Sequence, residues 1–286
     1  MGGEYTSAMV HLVEKAPSNR RGFFGSWSDA GSQVGVLLGG QALVWLYMFF
    51  SNDEVYSFAW RIPFLFSLIL IPFAFLVPND IPKKTSQKQS ISDMLLKHKK
   101  EMFYTIFITA FSAVAFYTLL TFLPYYLNHV GTLTLDDAAR CSNVATVVMV
   151  LAILICGYLS DIFSRKVFLI GGILGSCVAL IVMIISKSSA LNFWLLINGI
   201  CGAFLGMYYS SRSAFFSEAF PREVRCTAVS LSLSLAQAIF GGLTPAVTHR
   251  LILIADGYAC IPIVFVSILA IYSLVKLPDR TGEELL

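Results

Sequence analysis

Runs of apolar residues, bounded by charged or helix-breaking positions, divide the chain. The complete runs are 30–50, 60 to about 77, 102–127, 143–160, 167–186, 190 to just past 211, 227–254 and 257–277. Each is long enough to cross a hydrocarbon layer of roughly 30 Å as a helix. Residues 1–14 are too short to span and read as half of a helix ended by Pro17. The pattern therefore predicts an all-α membrane protein with about eight complete crossings and a partial one at the start. Gly31, Gly35 and Gly39, at four-residue spacing, give the first full span a flat strip where another helix can approach.

Residues 79–101 break the pattern. They carry Lys83, Lys84, Lys88, Lys97, Lys99 and Lys100 against Asp80, Asp93 and Glu101, with a short surface helix expected at 91–96. This reads as a solvated linker between a part-bundle at 1–78 and a bundle of six helices at 102–286. Alternating the loops puts Lys15, Arg20, Arg21, the linker lysines, Arg165, Lys166, Arg222, Arg225, Lys276 and Arg280 on one side. The positive-inside rule makes that side, and the C-terminus with it, cytoplasmic.

Composition narrows the class further. The 286 residues are 57% hydrophobic and 13% charged, with a mean hydropathy of +0.74, more apolar surface than a soluble core of this length hides. A net charge of +3 on scattered basic residues does not suggest nucleic-acid binding. The six cysteines fall mostly inside apolar runs without C-x-x-C or zinc spacing, so neither disulfides nor a metal site follow. No nucleoside-triphosphate loop, nucleophile elbow or cofactor motif is visible, and an enzyme is not expected.

The chemistry concentrates at Gly157-Tyr158-Leu159-Ser160-Asp161-Ile162-Phe163-Ser164-Arg165-Lys166, a charged turn between two spans. On the residues alone, Gly157 lets the turn fold back, Asp161 sits at the amides that open the next helix, and Arg165 and Lys166 stay among headgroups. The stretch resembles the signature loop of the major facilitator superfamily, G-x-L-[AS]-D-R-x-G-R-[RK], in its second-half copy. Ile162 stands where that pattern has Arg, and Ser164 where it has Gly. Further stretches, in order, resemble its metabolite:proton symporter branch. They are Gly2-Gly3-Glu4-Tyr5, the run from Arg21 to Asp29, Trp60-Arg61-Ile62-Pro63-Phe64, the run from Leu119 to Leu127, the run from Phe220 to Arg225, and Gly242-Leu243-Thr244-Pro245.

The resemblance implies a fold of twelve crossings in two bundles, with this chain starting inside the fourth helix and the first three absent. It implies a secondary transporter in the bacterial inner membrane, taking up a small zwitterionic or carboxylated metabolite of the proline or betaine kind with a proton, by alternating access. A truncated, transport-inactive fragment of such a carrier is the alternative. The expected partners are the lipid bilayer, the small-molecule substrate and its co-transported proton.

The resemblance also places Glu4 in the cavity as the proton-coupling group. Asp29 reads either as a helix N-cap at the start of its span or as a gate partner for a basic loop. Glu218 and Arg225 flank the Phe220-Pro221 turn and read as a gate network with the signature loop, whose functional positions are Gly157, Asp161, Arg165 and Lys166. Arg212 has two readings, pairing with a substrate carboxylate or snorkelling to the headgroups, and the second is favoured. Tyr117, Phe122 and Tyr125 offer aromatic faces to a quaternary ammonium, or simply pack. Gly241, Gly242 and Pro245 interrupt their apolar run and mark a broken helix along a pathway.

Overall fold

The computed structural model describes residues 3–70, 72, 97–118, 127, 133–186 and 190–285. Most of the expected linker, the surface helix at 91–96, Phe122 and Tyr125 lie outside the described residues. The chain forms two units, one of residues 1–32 with 90–286 and one of residues 33–89.

The first unit holds α1 (Gly3–Lys15), the start of α2 (Arg21–Phe49), α5 (Lys99–Phe116), α6 (Leu135–Ser160), α7 (Arg165–Ile185), α8 (Leu191–Glu218), α9 (Arg222–Ala236), α10 (Gly242–Ile252) and α11 (Ile261–Lys276). Among the described residues, six helical runs are long and apolar enough to cross a membrane: Ser18–Phe49, Asp136–Ser160, Arg165–Met183, Leu191–Glu218, Arg222–Ile252 and Tyr258–Lys276. The expected runs at 60–77 and 102–127 pass into residues that are not described.

Helix α6 shows why these segments suit lipid. Its inward stripe Ala145, Met149 and Ile153 is buried, while Val147, Leu151 and Ile155 on the outward stripe are exposed. Both stripes are apolar at four-residue spacing, as expected where the surrounding solvent is hydrocarbon. A Thr134 N-cap, whose side chain accepts from the Asp137 amide, starts the helix. On its inner side α6 packs most extensively against α8. Gly202 of α8 sits so close that an added Cβ would lie 2.2 Å from the Ala145 carbonyl oxygen. Only a residue without a side chain permits that approach.

The expected break at Gly241, Gly242 and Pro245 is instead a local widening. Helix α9 passes through a π turn at Gln237–Gly241 into α10, and the Gly242 amide bonds back to the Gln237 carbonyl. Pro245 has no N–H for the carbonyl four residues earlier, and the wider turn absorbs the mismatch without ending the helix.

The second unit comprises the rest of α2, α3 (Asn52–Ser57), α4 (Ile62–Phe66) and short 3₁₀ turns. A Ser51–Glu54 capping box starts α3. Leu38, Trp45, Phe49, Ile62 and Phe66 line an apolar groove of about 530 Å³ in this unit.

Candidate functional site

Two charged clusters lie inside the first unit. The first is built around the signature loop. Arg165, at the N-terminus of α7, is fully buried and pairs with Glu218 at the C-terminus of α8. Its Nη2 also lies 3.5 Å from Asp161 Oδ1. Glu218 in turn lies 3.4 Å from Arg21, the first residue of α2. Two cations and two anions thus alternate along a buried chain, Asp161–Arg165–Glu218–Arg21, so the charges neutralise each other without water. Arg21, placed by the sequence among the loop charges of the cytoplasmic side, is buried here because α2 begins at that residue rather than near Ala30.

Asp161 does not serve the next helix in sequence. Its carboxylate accepts from the backbone amides of Gly22 at 2.6 Å and Phe23 at 2.8 Å, capping the N-terminus of α2 from across the unit. That contact needs close approach. A Cβ on Gly22 would lie 2.3 Å from Ser160 Oγ, and one on Gly157 would lie 2.5 Å from Ser26 Oγ. Gly157 therefore sits inside α6 as a packing position, and its expected turn-forming role is corrected.

The C-terminal tail closes over this cluster. Ser164 donates to Asp279, the Arg165 amide reaches Thr281 Oγ1 at 3.3 Å, and Arg21 donates to the Glu283 carbonyl at 2.5 Å. Lys166 is half-buried, and its backbone amide bonds Asp279. Burial pushes the Asp279 carboxyl up, but hydrogen bonds from Ser164, Thr281 and Lys166 outweigh this and hold it below the usual carboxylate range. A carboxyl lowered in the folded state stabilises it above its unfolded value near 4, and the contribution disappears as pH falls through the folded value. The protection of the amides of residues 279–285 against hydrogen exchange, relative to the intrinsic rate at each pH, should therefore fall in acid, and Asp279→Asn should remove that dependence.

Glu218 pairs with Arg165 of the loop, and Arg225 pairs with Glu14 of α1 and donates from Nε to the Phe220 carbonyl at 3.1 Å.

The second cluster lies deeper. Asp29 is more than two turns inside α2, not at its N-cap, and is 1% exposed. It pairs with Arg212 of α8, which is itself 3% exposed. Tyr5 of α1 accepts from Arg212 Nη2 at 2.5 Å and donates to Asp29 Oδ1 at 2.6 Å, closing a triangle. Ser213 donates to Asp29 Oδ2 at 2.5 Å. The Tyr209 ring lies 4.6 Å from the guanidinium carbon. Arg212 thus does not snorkel: a carboxylate within reach holds it inside the unit. The residues missed in the sequence are Tyr5, Ser213, Glu14, Asp279 and Thr281. The available signal was one Asp and one Arg stranded in apolar helices, since intramembrane charges pair.

The remaining expected residues are dispersed. Glu4 is exposed on the first turn of α1. Tyr117 meets Gly241, where a Cβ would stand 3.0 Å from its ring, while Gly242 faces open space. Pro245 is half-buried in α10.

Long apolar helices joined by buried charge pairs define a multi-pass membrane protein. Residues 1–147 and 141–285 both match the model of the Major Facilitator Superfamily, and the chain belongs to that family. It is 26% identical to a citrate-proton symporter of Klebsiella pneumoniae, covering 88% of this chain and 59% of the relative. It is also 26% identical to a proline/betaine transporter of Salmonella typhimurium, covering 88% of this chain and 54% of the relative. An ectoine/proline transporter of Corynebacterium glutamicum matches at 26% over 100% of this chain and 62% of its own length. The chain thus spans a little over half the length of these relatives, each of which is named a transporter or symporter and not an enzyme.

Proposed function

We propose that the chain works in proton-coupled symport of a small zwitterionic or carboxylated metabolite, by alternating access across a bacterial inner membrane. The observation that carries this reading is the Asp29–Arg212 pair, held with Tyr5 and Ser213 in the interior. A buried ion pair is a poor way to stabilise a helix bundle, because desolvation offsets most of the attraction. It is a good way to build a centre that responds to an added charge. The names of the relatives support the substrate class, since citrate, proline and betaine all carry a carboxylate.

In this reading the Asp161–Arg165–Glu218–Arg21 relay is a latch on the cytoplasmic side, open in one phase of the cycle and closed in the other. Tyr117, Gly241, Gly242 and Pro245 belong to the route. Glu4, exposed directly before Tyr5, collects the proton from water.

The test is uptake of labelled proline, glycine betaine and citrate by vesicles holding the chain. A pH gradient, acid outside, should drive accumulation of at least one of them, and absence of gradient-driven uptake would contradict the reading. Glu4→Gln should slow the driven uptake about a hundredfold, the lower end of the usual size of a proton-transfer contribution. Unchanged uptake would remove Glu4 from the route.

A further inference from the structure

The tail that follows α11 has a defined path of its own. Leu277 is buried and anchors its start. Asp279 Oδ1 accepts from the Thr281 amide at 3.1 Å and from the Thr281 hydroxyl at 2.6 Å, and the Glu283 amide then donates to the Arg280 carbonyl at 3.1 Å. Within this second turn Gly282 has a φ of +81°, a left-handed conformation that a residue with a side chain would adopt only under strain.

Both ends of the path are bonded to helix N-termini. Ser164, the N-cap of α7, makes no bond to its own helix, and its hydroxyl donates to Asp279 instead. The first amides of α7 are met from the tail, Arg165 by Thr281 Oγ1 at 3.3 Å and Lys166 by Asp279. Further along, the Glu283 carbonyl accepts from Arg21, which opens α2, and the Glu284 carboxylate attracts the same guanidinium. The start of α2 and the corner between α6 and α7 are the elements that Asp161 joins through the Gly22 and Phe23 amides. The tail is thus a second clasp over the same seam.

We propose that residues 278–285 form an autoinhibitory strap, which holds the N-termini of α2 and α7 together and has to leave before this end of the unit can open. The seam is the latch of the symport reading, and the inference rests on that reading only for its effect on transport.

The construction of the tail suits release. Its bonds to the helices are polar and residues 282–284 are exposed, so it detaches without uncovering a large apolar surface, and segments built in this way open at low free energy. Water then meets the freed amides of α7 and the freed donor of Arg21, and both helices stay intact. The Asp161 bonds break only if two helices part, whereas those of the strap break when the tail alone moves. The strap therefore goes first.

The test compares the full chain with one ending at Pro278, each carrying Ser160→Cys at the seam. A water-soluble maleimide should label residue 160 at least tenfold faster in the shortened chain, while the buried native Cys141 and Cys201, followed by peptide mass, keep their rates. Thr281→Val in the full chain removes both bonds of that hydroxyl at nearly constant volume and should raise the residue-160 rate about threefold. It decides the matter alone if the shortened chain shows no cooperative unfolding. Rates at residue 160 equal to those of the full chain would overturn the proposal. A rise shared in proportion by Cys141 and Cys201 would overturn it as well, because the tail would then support the whole fold rather than hold one seam. In vesicles, the shortened chain should take up proline, glycine betaine or citrate faster than the full chain under the same pH gradient, and an unchanged rate would overturn the inhibition. No driven uptake by either chain, with the labelling results intact, would strike the symport reading and leave the clasp standing.

Discussion

Arg165→Gln is expected to lower the stability of the chain by about 3–5 kcal/mol, the cost of breaking a buried ion pair from one side. The size follows from position. Arg165 is fully buried between Glu218 and Asp161, and its removal leaves two carboxylates facing one remaining cation, Arg21. Glutamine keeps much of the volume, so the loss reports charge rather than packing. Arg165→Lys should recover part of it, because a lysine neutralises the carboxylates without offering the same fork. The midpoint of unfolding in detergent measures both.

The second large effect is expected at Gly22. In Gly22→Val the new Cβ would stand 2.3 Å from Ser160 Oγ and 2.9 Å from both Asp161 Oδ1 and the Gly157 carbonyl oxygen, so α2 and the end of α6 must separate. Separation also breaks the two amide bonds to Asp161, each a hydrogen bond to a charged group worth about 1.5–3 kcal/mol. A cysteine placed at the buried Ser160 reads the outcome. A water-soluble maleimide should label it at least tenfold faster in the Gly22→Val background than in the parent. Equal labelling would mean that this close contact does not hold the end of the unit shut.

Much of the helical framework was legible in the sequence, because a membrane-crossing helix needs a long apolar run and little else. The runs at 143–160, 167–186, 190–211 and 257–277 coincide closely with helices. The start of α2 was not legible. The stretch from Arg21 to Asp29 mixes Arg, Gly, Ser and Asp with aromatics, and hydropathy reads such a mixture as loop; here it is helix, with its polar side turned inward to Asp161, Glu218 and Arg212.

That one misreading displaced Asp29 from the interior to a cap and hid its partner. Arg212 lies 183 residues further along the chain, and nothing in its own surroundings says which carboxylate answers it. The signature loop was recognisable as a charged turn, but the helix it caps depends on packing that spacing alone does not encode. The tail residues Asp279 and Thr281 carried no motif, and their role follows from where the chain returns after α11.

Whether Asp29 and Arg212 act as one unit is decided by a double-mutant cycle. Unfolding of the parent chain, Asp29→Asn, Arg212→Gln and the double variant should give an interaction energy of about 2 kcal/mol, with the double variant losing clearly less than the two single losses combined. Additivity to within about 0.5 kcal/mol would show that the two side chains do not depend on each other, and the account built on their pairing would be wrong.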